Sequence, residues 1–132
     1  MKTNQFLSIL FAAATLVLSS CDPHEPPVMV FKTGGNYTSA DATVAKGATI
    51  LVGITGDKKE DDMKTYNISY AYDGATTTTT KETFSLTGGE LKHYEKDYTF
   101  TARNQAGTED WSFVITDKDG NIAKLSIKLT VQ

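Results

Sequence analysis

The sequence predicts an all-β domain, an antiparallel β-sandwich running from about Val28 to Gln132. Three observations point to it. Apolar residues alternate with polar ones over short stretches, the period of half-buried strands. Clusters of glycine, asparagine and aspartate separate those stretches at short intervals. No segment after the first 27 residues carries a sustained helical period. Seven or eight short strands divided by turn residues suggest two packed sheets.

The predicted strands follow in order. Val28-Met29-Val30-Phe31 is a short apolar run, broken by Gly34-Gly35-Asn36. Ala42 to Ala45 is a second short piece, ended by Lys46-Gly47. Thr49 to Thr55 alternates with Ile50, Val52 and Ile54 on one face, and a turn is expected at Gly56-Asp57. Tyr66 to Tyr72 alternates before Asp73-Gly74, and Phe84 and Leu86 share a face before Gly88-Gly89. Thr76 to Thr80 is a run of five threonines, polar and β-branched, which suits an exposed hairpin strand. Tyr94, Tyr98, Phe100 and Ala102 oppose His93, Glu95, Asp97, Thr99, Thr101 and Arg103. Trp111, Phe113 and Ile115 are in phase, as are Ala123, Leu125, Ile127, Leu129 and Val131.

Ahead of this domain stands a different kind of segment. Met1 to Gln5 holds one positive charge, Phe6 to Leu18 is almost wholly apolar, and Leu18-Ser19-Ser20-Cys21 follows. A positive start, a short apolar stretch and small residues before a cut describe a secretory signal peptide, here residues 1–20. The apolar stretch falls short of the roughly 20 residues that span a bilayer. Leu-Ser-Ser-Cys resembles the bacterial lipobox. That resemblance implies cleavage before Cys21, a diacylglyceryl group on its thiol and acylation of its amino group. Stable anchoring takes more than one chain, and this modification supplies it. Cys21 is the only cysteine, so none remains for a disulfide, a zinc site or a thiol nucleophile. Residues 21–27 contain all three prolines and read as a semi-rigid stalk.

Removal of the signal takes one positive charge from a chain of 13 Lys+Arg against 16 Asp+Glu. Such an acidic chain without a basic stripe argues against nucleic acid and against attraction to anionic headgroups. The expected membrane contact is the lipid on Cys21 alone.

Lys46 to Ile54, Tyr98 to Phe113 and Ile115 to Asn121 together resemble the immunoglobulin-like lipoproteins of Bacteroidetes. The resemblance covers most of residues 28–132. It implies an immunoglobulin-like sandwich of about seven strands at the cell envelope and assigns no particular activity; the outer membrane is the expected location. The chain departs from antibody-type domains in lacking paired cysteines and in carrying its single tryptophan on the penultimate strand.

Candidate chemistry is sparse. Asp117-Lys118-Asp119-Gly120-Asn121 evokes a calcium loop, but glycine stands fourth and Lys128 twelfth, where an EF-hand needs glycine sixth and glutamate twelfth. A tight hairpin turn accounts for it. Asp57-Lys58-Lys59-Glu60-Asp61-Asp62 reads as a solvated loop, its lysines offsetting its carboxylates. His24 and Glu25, adjacent on the stalk, are poor ligands. No metal or cofactor is therefore expected. His93 has carboxylates on its face but no placed nucleophile. Tyr66, Tyr70, Tyr72 and Tyr94 form the candidate binding surface, since exposed tyrosines stack on sugars or pack on partners. Burial in the core is the competing account of the same four rings. The expected function is a non-catalytic envelope module for a glycan or protein partner. A periplasmic inhibitor or assembly factor, with the loop 57–62 as its protruding element, is the alternative, and an enzyme with an unrecognised carboxylate site is the third.

Overall fold

The computed structural model describes residues 24–132; Cys21 and the expected signal peptide lie outside them. Among the described residues, eight strands form two sheets. They are β1 (Val28–Phe31), β2 (Ala42–Val44), β3 (Thr49–Asp57), β4 (Met63–Tyr72), β5 (Thr79–Ser85), β6 (His93–Thr101), β7 (Gly107–Asp117) and β8 (Ile122–Val131). A 3₁₀ turn, Gly88–Leu91, joins β5 to β6. No helix among the described residues is long and apolar enough to cross a membrane.

One sheet has the order β1-β3-β6, the other β2-β8-β7-β4-β5. All pairings are antiparallel except β2 with β8, which is parallel. The chain's first extended stretch is thus divided between the sheets, β1 pairing with β3 and β2 with β8. The architecture is the immunoglobulin-like sandwich, with β7 at the centre of the larger sheet.

The alternation seen in the sequence is the alternation of the sheets. Ile50, Val52 and Ile54 of β3 face Ile68, Phe113 and Ile115 of the other sheet within one core. Tyr94, Tyr98, Phe100 and Ala102 all point inward, while His93, Glu95, Asp97, Thr99 and Thr101 are exposed. Dispersion and the removal of apolar surface from water stabilise this interior.

Two turns show their chemistry clearly. Between β4 and β5, Asp73 (φ 53°) and Gly74 (φ 74°) both take positive φ, and Ala75 N–H bonds to Tyr72 C=O at 3.0 Å. That is the pattern of an Asp-Gly type I′ turn. Between β7 and β8, the buried Asp117 accepts the N–H groups of Asp119 (3.0 Å) and Asn121 (2.8 Å) and the Asn121 side-chain amide (3.0 Å). Its carboxylate is spent inside the hairpin.

The turn expected at Gly56-Asp57 is instead strand. β3 continues through both residues, with Gly56 opposite Tyr94. A Cβ on Gly56 would run into Ile115 Cδ1 of the facing sheet. The glycine there serves close sheet packing rather than a bend. Residues 24–27, the described part of the expected stalk, lean on the domain: Pro27 is buried and the His24 ring meets Asp61 at 2.9 Å.

Candidate functional site: an aromatic groove at the open side of the sandwich

The edge strands β5 and β6 belong to opposite sheets and face each other across the open side of the sandwich. Tyr98 O–H of β6 donates to Glu82 of β5 at 3.1 Å, and Lys96 Nζ lies 4.6 Å from the Phe84 ring centroid. Between these strands the inner face of β4 carries Tyr66, Ile68, Tyr70 and Tyr72 in sequence.

The four expected tyrosines divide. Tyr66 packs against Phe84 (5.9 Å between centroids) and Tyr94 (5.5 Å) where the sheets are closed. It is 1% exposed and Tyr94 5%. Burial pushes the Tyr66 hydroxyl above its ordinary range and that of Tyr94 up to about 12. These two rings are core, so the structure removes them from the candidate surface. Their inward phase on facing sheets leaves them no path to solvent. Tyr70 is half-buried and Tyr72 is 37% exposed, because the sandwich opens toward the C-terminal end of β4.

There a groove of about 400 Å³ forms, lined by Tyr70, Tyr72, Tyr98, Phe100 and Trp111, with Lys81, Glu82, Thr99 and Thr101 at its margin. The rings touch in succession. Centroids are 4.8 Å apart for Tyr72 and Tyr70, 5.1 Å for Tyr70 and Trp111, and 3.8 Å for Trp111 and Phe100. A register shift between β4 and β5 pairs Ile68 with Glu82 but Ser69 with Thr80, leaving Lys81 as the extra residue. Bulges of this kind re-aim side chains, and here Lys81 and its neighbour Glu82 both border the groove. The accessible lining of this groove is more polar than apolar, because Tyr98, Phe100 and Trp111 are themselves nearly buried beneath it.

A buried charge system supports the floor. Glu109 is fully buried. Its Oε2 accepts the Trp111 indole N–H at 2.8 Å and its Oε1 the Arg103 backbone N–H at 2.8 Å. The Arg103 guanidinium bonds to Asp73 and to the Thr108 carbonyl, and lies 4.6 Å from the Tyr72 ring centroid. The guanidinium holds the Asp73 carboxyl below its usual range, helped by the Thr108 N–H. None of this was read from the sequence. A signal was present, however: Glu109 shares the phase of Trp111, Phe113 and Ile115, a carboxylate within an otherwise apolar inward face.

The other charged candidates are engaged elsewhere. His93 Nδ1 meets Asp57 Oδ1 at 2.7 Å and Nε2 meets Glu95 Oε1 at 3.2 Å. With a carboxylate at each nitrogen the ring favours its cationic form, and the bonds to Asp57 and Glu95 raise its pKa. A ring so held has no free lone pair with which to take a proton from a nucleophile. Lys32 continues this network to Glu95 and Asp97 at 3.0 Å each, and Tyr37 O–H donates to Asp97 at 2.9 Å. The acidic loop of residues 57–62 is tied down at Asp62, where Lys58 bonds to the carboxylate at 2.8 Å and the Lys118 N–H to the carbonyl at 3.0 Å, while Lys59 and Glu60 are exposed.

No protein-family model matches the chain, and no curated protein does. Solved structures do share its fold. A chitin-binding domain from Burkholderia pseudomallei superposes with a TM-score of 0.52 at 10% identity, over 71% of this chain and 58% of that one. The chain therefore spans little more than half the length of that neighbour. Murine CRIg superposes with a TM-score of 0.43 at 9% identity, over 82% of this chain and 99% of its own. At such identities the likeness to the chitin-binding domain is one of fold.

Proposed function

We propose that the chain is a lipid-anchored, non-catalytic binding module of a bacterial envelope, whose aromatic groove takes a carbohydrate. The observation that carries this reading is the groove itself. Sugar rings present apolar C–H faces that pack on aromatic surface, and their hydroxyls need donors and acceptors at the rim. Tyr70 and Tyr72 offer the first, Lys81 and Glu82 the second. That the same fold serves a protein named as a chitin-binding domain is in keeping with the reading.

The anchor follows from Leu18-Ser19-Ser20-Cys21 at the end of the apolar run, with the lipid on Cys21 holding the domain to the outer membrane. The fold suits that arrangement. The chain enters at His24, beside the β3–β4 loop and the β7–β8 turn. Tyr72 closes the ten-residue β4 at the opposite end, about 30 Å away for a strand of that length. A lipid on Cys21 would leave the groove facing away from the bilayer. The non-catalytic reading is in keeping with His93, whose two ring nitrogens meet Asp57 and Glu95.

Trp111, the only tryptophan, lines the groove and reports on it. Titration with chito-, cello-, xylo- and malto-oligosaccharides should change its fluorescence saturably for at least one of them, and Tyr72→Ala should abolish the change. A folded protein whose emission responds to none of the panel would overturn the carbohydrate reading.

A further inference from the structure

Three residues that stand far apart in the sequence meet at the end of the sandwich where the chain enters. His24 precedes β1, Asp61 lies in the β3–β4 loop and Asp119 in the β7–β8 turn. His24 Nδ1 is 2.9 Å from Asp61 Oδ2 and 3.7 Å from Asp119 Oδ2. One ligand atom from each of the three lies within 4.8 Å of the others. Glu60 Oε2 is 3.6 Å from the same nitrogen. We propose that His24, Asp61 and Asp119 form a site for one borderline divalent cation of the Zn²⁺ type, which clamps the entering chain to the two loops.

Spacing and chemistry both lead there. Donors bound at about 2.0–2.1 Å around one ion stand roughly 3–4 Å from one another, close to the separations already present. The two carboxylate donors are themselves held. The Asp61 side chain is only 10% exposed, and Lys118 Nζ occupies its Oδ1 at 3.0 Å, leaving Oδ2 toward the imidazole. Both oxygens of this carboxylate are paired, so the cation would take the place of the imidazole proton between Nδ1 and Oδ2, while a hydrogen bond to the outer oxygen of a ligating carboxylate is a common support for a metal site. Asp119 sits on a hairpin whose backbone Asp117 fixes through two N–H groups. One imidazole nitrogen with carboxylate oxygens favours zinc-like ions. Calcium prefers six to eight oxygens. The site is distinct from the groove, so the proposal stands or falls independently of the carbohydrate reading.

The test is calorimetric titration of the full chain in detergent with Zn²⁺. The protein carries Cys21→Ser so that no thiol competes. One Zn²⁺ per chain is expected, with His24→Ala and Asp119→Asn each weakening affinity at least tenfold. Both positions are exposed, and an unchanged circular dichroism spectrum shows that the fold is kept. His93→Ala and Asp110→Asn should leave the isotherm unchanged. No saturable uptake, uptake unaltered by His24→Ala, or equal competition by Ca²⁺ would each overturn the assignment.

Discussion

Glu109 Oε2 accepts the indole N–H of Trp111 at 2.8 Å, wholly inside the sandwich. The same carboxylate receives the backbone N–H of Arg103, so one buried acid fixes both the groove floor and the β6–β7 connection. Replacing Glu109 by alanine leaves both donors unpaired. The expected loss of stability is about 3 kcal/mol, read as a lower urea midpoint, with Glu109→Gln losing less because its amide oxygen can still accept one of the two bonds.

The two pairs of tyrosines separate by their effects. Tyr72→Ala gives up its contacts with Tyr70 and Arg103 and should cost about 1 kcal/mol, while removing any ligand affinity at the groove. Tyr66→Ala opens a cavity between Phe84 and Tyr94 and should cost about 4 kcal/mol. Chemical unfolding of both variants, beside a binding titration of the first, checks the division.

His93 gives a pH dependence of known sign. Its folded-state pKa is raised above the ordinary 6.5, first by its bond to Asp57 and then by that to Glu95. Stability from the charged ring is therefore fully present below about pH 6.5 and is lost as pH rises through the folded value. The wild type should exceed His93→Gln in stability at pH 5, and the difference should vanish by about pH 9. High salt should shrink it, since the network is exposed. Unfolding of the two proteins in parallel across this range tests the sign.

Gly56→Ala probes the contact between sheets. The added methyl meets Ile115 Cδ1, in a residue with no exposed surface. Overpacking of this kind costs about 2 kcal/mol, although alanine has the better strand propensity in an open position. Thermal unfolding should show the loss. Gly89→Ala, where nothing stands within 4 Å of the new Cβ, should show little.

The lipid reading has its own consequence. Cys21→Ala should move the protein from the membrane fraction to the soluble fraction of the producing cell, and the intact protein should carry acyl mass on its N-terminal cysteine. A wild-type chain recovered in the soluble fraction without added mass would exclude anchoring through Cys21.

Much of the fold was legible because strand periodicity is local. The inward positions of β3, β6 and β8 could be listed from alternation alone, and Asp73-Gly74 and Asp119-Gly120 marked their turns through backbone preference. The error at Gly56-Asp57 has the same root. Glycine beside aspartate carries the local preference of a turn, and only the facing Ile115 shows that this glycine is needed for close packing.

The sequence by itself determined the alternating faces and the turns at Asp73-Gly74 and Asp119-Gly120, because each is fixed by neighbours in the chain. Tertiary structure alone decided which face of β4 is closed and which is open, since Tyr66 and Tyr72 share one phase and differ only in what the opposite sheet places before them. It also decided that the acidic stretches are not solvated loops of equal standing. Asp117 is consumed within its own hairpin, while Asp61 and Asp119 converge on His24. Contacts between residues so far apart in the chain depend on how the sheets cross and which edges meet, and no local period records that.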